Sequence, residues 1–299
     1  MTSVAVDAPA RRPIICASPV NPIRHTTQFF RACIAVAIAV VFPVRSLADD
    51  TAKPVPAAIA PQSERRIAEE TAVLEKGRLS AKQRSFARLA THPDPAADDL
   101  LRAQFTRYEL HELPPALWLD LFEAMAKRGT AEFKSLLAAR EERLAKSPDP
   151  LRRFEECLEG GDSEAGRAVF EKKPEAGCIR CHSVDGKGGQ VGPDLTWLRH
   201  ATERAHILES IITPNSTVAT GFDSVALKLK NGETVAGVVR GESATEITLA
   251  SFADGKRTTV KLAKVAKRTP LPSPMPPAFG QVLGKRAIRD LVQFIAAGD

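Results

Sequence analysis

Cys178-Ile179-Arg180-Cys181-His182 is the stretch of this chain that determines its fold. Two cysteines separated by two residues and followed at once by a histidine form the C-x-x-C-H pattern of covalent haem attachment. The two thiols are spaced to form thioethers along one porphyrin edge, and the histidine is placed to bind the iron. The pattern therefore predicts one covalent haem c, with Cys178, Cys181 and His182 as attachment and ligand residues.

Two other kinds of site also use closely spaced cysteines. A zinc site needs further Cys or His ligands at matched spacing, and the chain offers only Cys157 and scattered histidines. A thioredoxin-like redox pair needs a βαβ context, which the pattern around the motif does not provide. We therefore favour haem, and we expect Cys157 to be a small buried apolar residue.

Charge and composition limit the classes of partner. The chain has 299 residues, a hydrophobic fraction of 43% and a formal net charge of +6, which is typical of a soluble globular protein with room for two domains. Of the 42 basic residues five precede Asp49, and of the 36 acidic residues one does, which leaves a net charge of +2 for the rest. Most of the excess positive charge therefore lies in the residues before Asp49. The rest of the chain is close to neutral, so we expect no nucleic-acid partner.

Residues 1–48 are predicted to be a signal peptide. Arginines precede an apolar run over 32–42, and Ser46-Leu47-Ala48 provides small residues at the cleavage position. The run is shorter than a membrane span, so we expect no transmembrane segment after cleavage; an uncleaved anchor is the alternative. The prediction is a periplasmic or secreted protein that begins at Asp49, which agrees with haem attachment outside the cytoplasm.

A helical domain is predicted ahead of the motif. Residues 49–62 are rich in Pro and Ala and predict a linker, and residues 63–158 have helical periodicity with no strand signals. Asp94-Pro95 and Asp149-Pro150 each place a capping acid before a proline and predict helix starts. The paired helices weakly resemble degenerate HEAT repeats. A packing domain is the plainer interpretation, and a surface that binds a partner protein is the alternative.

Two helices of the remaining region, 159–299, are expected to pack together. Gly166 and Phe170 lie four residues apart and share a face of the first helix, where a glycine would let another helix approach closely. The last helix, predicted over about 285–297, repeats apolar residues at helical spacing. On periodicity alone, ordinary core packing explains both patterns equally well.

A small antiparallel β module is predicted within the same region, over about 222–268. Apolar residues alternate from Val225 to Leu229, and Asn231-Gly232 is a strong hairpin signal. Three more short strands follow, at 235–240, 246–250 and 258–262. We expect the module to have a structural role, such as covering one haem edge, or to provide a surface where an electron donor docks.

A longer run carries a resemblance to a known family. The segment CIRCHSVDGKGGQVGPDLT (178–196) resembles the haem-binding cytochrome c domain of the planctomycete/verrucomicrobial type, and the likeness continues through LESIITPNS (208–216), NGETVAGVV (231–239) and SPMPP (273–277). The resemblance implies a cytochrome c-like fold whose first and last helices cross beside the haem. It also implies that the carbonyl group of Pro193 accepts a hydrogen bond from His182 Nδ1 and so orients the ring.

Met275 is the predicted second axial ligand of the iron. Apart from the initiator, the only other methionine is Met125. It lies inside a predicted helix, and we expect it to be a core residue. Met275 lies in a loop that is predicted to be stiffened by five prolines, namely Pro270, Pro272, Pro274, Pro276 and Pro277. In the resembling family the methionine of this segment is the distal ligand. A gap-filling methionine is the plain alternative. His206, on a polar helix face, and His200, in a loop, remain rival ligands.

These patterns together predict a mainly α protein, with a HEAT-like helical domain followed by a cytochrome c-like haem domain that contains the β module. We expect a mono-haem c-type cytochrome that carries single electrons between redox partner proteins, and not an enzyme. Two alternatives stay open. One is an electron-accepting subunit of a periplasmic dehydrogenase complex, and the other is a haem-based sensor with an open iron position.

Overall fold

The structure is a computed structural model that describes residues 62–199 and 202–297. The predicted signal peptide, all but the last residue of the predicted linker, and His200 lie outside these residues. No helix in the described part is long and apolar enough to cross a membrane. The described chain is mainly helical and has a small antiparallel β module in its second half, as predicted, together with a separate two-stranded hairpin.

Five α-helices form the first part of the described chain. They are α1 (Gln62–Lys76), α2 (Leu79–Leu89), α3 (Ala96–Glu109), α4 (Trp118–Arg128) and α5 (Ala131–Ala145). Their apolar faces enclose a first core that includes the fully buried Phe86, Met125 and Phe133, so the prediction that Met125 is a core residue is confirmed. Asp94 accepts a hydrogen bond from the amide of Ala96 at 2.9 Å, which is the cap expected at the start of α3.

The segment after α5 differs from its prediction. Asp149 caps it by accepting a hydrogen bond from the amide of Leu151 at 2.9 Å, but Pro150–Cys157 is a 3-10 helix and not an α-helix. Cys157 is fully buried, as predicted, yet it packs with Leu151 and Phe154 in the second core and not in the first. The second core therefore begins before the predicted domain boundary at residue 158.

The second core is built around a close crossing of α6 (Ser163–Lys172) and α10 (Lys285–Ala297). A Cβ atom on Gly166 would overlap the backbone oxygen of Asp290, so only glycine allows this approach. The rings of Phe170 and Phe294 pack beside it with their centroids 5.7 Å apart. The predicted role of Gly166 and the predicted extent of the last helix are both confirmed.

The predicted β module, called the β insert from here on, is a five-stranded antiparallel sheet with its own small apolar core. Its strands are β3 (Ser224–Leu229), β4 (Thr234–Glu242), β5 (Glu246–Ala250), β6 (Arg257–Lys261) and β7 (Val265–Leu271), in the order β6-β5-β4-β3-β7. Strand β7 was not predicted. It pairs with β3 at the edge of the sheet, where a strand tolerates proline, so Pro270 belongs to β7 and not to the loop around Met275.

Ion pairs join the helical part to the second core. Asp120 of α4 lies 2.8 Å from Arg289 of α10, and both side chains are buried. Glu156, also buried, lies 2.8 Å from Arg140 of α5 and 2.7 Å from Lys285 of α10. Helix α10 thus contacts both α6 and the helical part.

Candidate functional site

The C-x-x-C-H stretch forms one helical turn followed by an extended histidine. The turn, α7 (Cys178–Cys181), begins after Gly177, whose φ of 58° is in the left-handed region, and His182 leaves it with extended backbone. Residues at positions i and i+3 of a helical turn lie on the same side. Cys178, Cys181 and His182 accordingly line one cavity.

A glycine-rich loop, residues 186–192, follows His182 and packs against this turn. A small hairpin, β1 (Ser183–Val184) and β2 (Lys187–Gly188), starts the loop, and the amide of Gly192 then donates a hydrogen bond to the carbonyl group of Cys181 at 2.8 Å. A Cβ atom on Gly192 would lie 2.5 Å from Cε1 of His182. Glycine at 192 is therefore required for the loop to lie against the imidazole, a role that the sequence interpretation did not identify.

A hydrogen bond determines which nitrogen of His182 is available to a metal ion. Nδ1 lies 2.9 Å from the carbonyl oxygen of Pro193, which is the contact that the resemblance implied. With its proton on Nδ1, the ring has a lone pair left on Nε2 for coordination. Burial lowers the pKa of His182 and favours this neutral form, and it outweighs the opposite effect of the hydrogen bond to Pro193.

Met275 lines the same cavity from a distant part of the chain, the loop between β7 and α9 (Phe279–Val282). Two hydrogen bonds hold this loop: the amide of Ser273 donates to Asn215 Oδ1 at 2.8 Å, and the amide of Met275 donates to Ser273 Oγ at 3.2 Å. Asn215 is thus a positioning residue that sequence reasoning missed. It belongs to the run 208–216, but no local signal indicates a partner 58 residues away.

The cavity has a volume of about 440 Å³, which is within the range of cofactor sites. Apart from the motif and the loop of Met275, its lining includes four residues from the β insert and the segments around it, namely Phe222, Val238, Phe252 and Ala253. The β insert therefore forms part of the cavity wall, which agrees with the structural role expected for it.

The residues of the cavity fit a covalently attached haem. They provide two thiols on one turn, an imidazole with Nε2 available, and a thioether, which together are the donor set of a haem with His and Met ligands. Burial raises the pKa of Cys178 to about 11 and also raises that of Cys181, so both side chains are neutral thiols at neutral pH. Among the described residues no group of three or more His, Cys, Asp or Glu side chains could hold a metal ion, so the zinc alternative has no ligand set there.

Of the two rival histidines, only His206 lies among the described residues, and it does not join this donor set. His206 lies on α8 (Arg204–Ile212) and is absent from the cavity lining. Its side chain is 49% exposed, and its Nδ1 lies 3.6 Å from a carboxylate oxygen of Glu209. This agrees with the polar helix face predicted for it. His200 lies outside the described residues.

Residues 163–232 match the model of the family described as Cytochrome c. The chain contains a cytochrome c domain. The domain begins with α6 and includes the whole C-x-x-C-H motif, and it implies haem c, electron transfer and redox partner proteins. The match ends before Met275. A comparison with curated proteins finds no relative that matches the chain.

Proposed function

We propose that this protein is a mono-haem c-type cytochrome that carries single electrons, with the haem joined to Cys178 and Cys181 and the iron bound by His182 and Met275. One observation carries the proposal: these four side chains, drawn from two distant segments, line a single cavity. Within the described part of the chain, no other histidine or methionine lines it.

Each of these residues has a separate task in the proposed function. Bound haem c supplies the one-electron redox chemistry. Cys178 and Cys181 fix it in place, and Pro193 holds the imidazole of His182 in one orientation. The thioether of Met275 raises the reduction potential relative to a second histidine. If His182 and Met275 both bound the iron, no position would be left open for a substrate or a gas, and this would distinguish a carrier from a sensor or an enzyme.

Three finer assignments belong to the same proposal. We propose that the domain is of the planctomycete/verrucomicrobial type, because the likeness continues past residue 232 to the SPMPP segment. We propose that the helical part is a degenerate HEAT-like array, and that a periplasmic dehydrogenase is one class of electron donor.

We also propose that the mature protein is exported and begins at Asp49. The support is the apolar run followed by Ser46-Leu47-Ala48. N-terminal sequencing of the exported protein tests this, and recovery of the intact leader in the membrane fraction would contradict it.

Replacing Met275 tests the carrier against the sensor. The parent should show the ferric sulfur-to-iron charge-transfer band and resist carbon monoxide, whereas Met275→Leu should lose the band and bind carbon monoxide. Met125→Leu is the matched control, because it makes the same change in the first core and should leave the spectrum unaltered. If the parent binds carbon monoxide readily, or if Met275→Leu keeps the parent ferric spectrum, Met275 is not the iron ligand. The sensor hypothesis is then favoured over the carrier.

A further inference from the structure

Strand β4 contains a local irregularity at Arg240. The pairing register between β4 and β5 shifts between Val239 and Gly241, so that Arg240 has no cross-strand partner on β5. This is a β-bulge, which bends a strand and redirects the side chain of the extra residue. Bulges are over-represented beside functional sites, so the direction of this side chain is informative.

The redirected side chain of Arg240 lies over a ring of the cavity wall. Its guanidinium carbon is 4.4 Å from the ring centroid of Phe222, and Phe222 lines the cavity that contains Cys178 and His182. The amide of Val239, next to the bulge, donates a hydrogen bond to the carbonyl group of Asp223 at 2.8 Å. The backbone of the bulge is therefore tied to the segment that carries the ring.

Arg240 has no counter-ion among the residues that the structure describes. The carboxylate of Glu242, two residues along the strand, is occupied by Arg268 at 2.7 Å. Arg240 is also partly buried, and charges that are withdrawn from water are less screened than exposed charges. The site thus places an unpaired positive charge behind one ring of the cavity wall.

We propose that Arg240 raises the reduction potential of the group held in this cavity, an inference that rests on the proposed function. Reduction of a c-type haem takes up one electron from an external donor, converts Fe(III) to Fe(II), and makes or breaks no bond. The reduced state therefore carries one more negative charge, which a nearby cation stabilises. Arg240 acts through its electric field, so it is a positioning and tuning residue and not a ligand.

The test is a redox titration of the haem-loaded full chain with mediator dyes. By Coulomb's law, two unit charges about 10 Å apart at an effective dielectric constant of about 20 interact strongly enough to change an equilibrium by roughly an order of magnitude. Arg240→Gln should lower the equilibrium constant for reduction by about tenfold, equivalent to about 59 mV for one electron. Arg240→Lys retains the charge and should stay within about twofold of the parent.

Lys261→Gln is the matched control for the loss of charge. It removes one positive charge from an exposed position on the same sheet, where water and salt screen it, so its effect should stay below about twofold. Phe222→Leu removes the ring under the guanidinium and should lower the potential by less than Arg240→Gln does. This variant gives an answer even if Arg240→Gln does not fold.

Two results would overturn the inference. The first is that Arg240→Gln and Lys261→Gln have the same reduction potential. The second applies if Arg240→Gln cannot be recovered, and it is that Phe222→Leu has the reduction potential of the parent. The haem content and ferric spectrum of each variant are measured in parallel. A parent without haem overturns the proposed function together with the inference, whereas a normal parent spectrum with a potential that does not respond to Arg240 overturns the inference alone.

Discussion

Residue 192 illustrates how a missing side chain shapes the site. The glycine lets the loop lie directly on the imidazole of His182, since a Cβ atom there would lie 2.5 Å from Cε1 and 2.7 Å from Nδ1. Gly192→Ala should therefore displace the ring from Pro193 and reduce covalent haem content severalfold, as measured by absorbance per chain. Gly241→Ala is the control, because an added Cβ meets nothing within 4 Å. Equal haem content in the two variants would contradict this account.

Asn215 holds the loop of Met275 through the amide of Ser273, and the consequence should be visible at the iron. Asn215→Ala removes the hydrogen-bond acceptor, so the thioether should be held less firmly and carbon monoxide should bind faster than in the parent. Asn231→Ala is the control, since Asn231 forms its hydrogen bonds with Glu233 in the hairpin. Stopped-flow mixing with the reduced protein measures the rate, and identical rates for both variants would exclude the positioning role.

Local patterns predicted some of the site residues and could not predict others. Cys178, Cys181 and His182 form a contiguous motif whose chemistry is contained in five residues. Asn215 and Arg240 act through partners that are brought near by the fold, so no spacing rule indicates them. Met275 lies between these cases, because only its prolines and the resemblance singled it out.

At the scale of secondary structure, helices were easier to predict than the sheet edge. The last helix and the role of Gly166 followed from periodicity and from the absence of a side chain. Strand β7 was missed because its side chains are mostly exposed. An edge strand that is exposed in this way has no alternation of apolar residues to detect.

The carboxylate of Glu70 links α1 to α2 and makes their packing sensitive to pH. Burial acts to raise its pKa, but hydrogen bonds from Arg88 at 2.7 Å and Ser85 at 2.6 Å outweigh burial and lower the pKa below 4.5. A depressed carboxyl pKa contributes stability above the unfolded value, and this stability is lost as the pH falls through the folded value.

Glu70→Gln should therefore lower the free energy of unfolding by about 1–3 kcal/mol at pH 7, and the difference from the parent should shrink on acidification below about pH 4. Denaturant unfolding at several pH values measures it. Glu69→Gln, at an exposed position on the same helix, should change stability little at any pH. A constant deficit for Glu70→Gln across the pH range would contradict the ionic explanation.

At the scale of the whole molecule, buried ion pairs couple the helical part to the second core. Asp120 accepts hydrogen bonds from Arg289 at 2.8 Å and from Arg286 at 3.0 Å. Asp120→Asn removes the nearer counter-ion of the buried Arg289 and leaves it only Asp290, at 3.9 Å, so the change should cost about 3–5 kcal/mol. Lys146→Gln breaks an exposed pair with Glu142 and should cost less than about 1 kcal/mol.

The same coupling predicts how the haem-loaded protein unfolds. Far-ultraviolet circular dichroism, which follows the helices, and the loss of methionine ligation at the haem should report one shared transition in the parent. If the haem band persists after the helical signal has been lost, the two cores unfold independently and the proposed coupling is wrong.

The mass of the denatured protein tests the central claim most directly. Expressed with haem-maturation machinery, the parent should have the mass of its chain plus one haem after denaturation. Cys157→Ala should likewise have the mass of its own chain plus one haem, because Cys157 is buried away from the cavity lining, whereas the double variant Cys178→Ala, Cys181→Ala should have the mass of its own chain alone. A parent that has the mass of its chain alone under these conditions would contradict the proposal that this cavity holds a covalent haem.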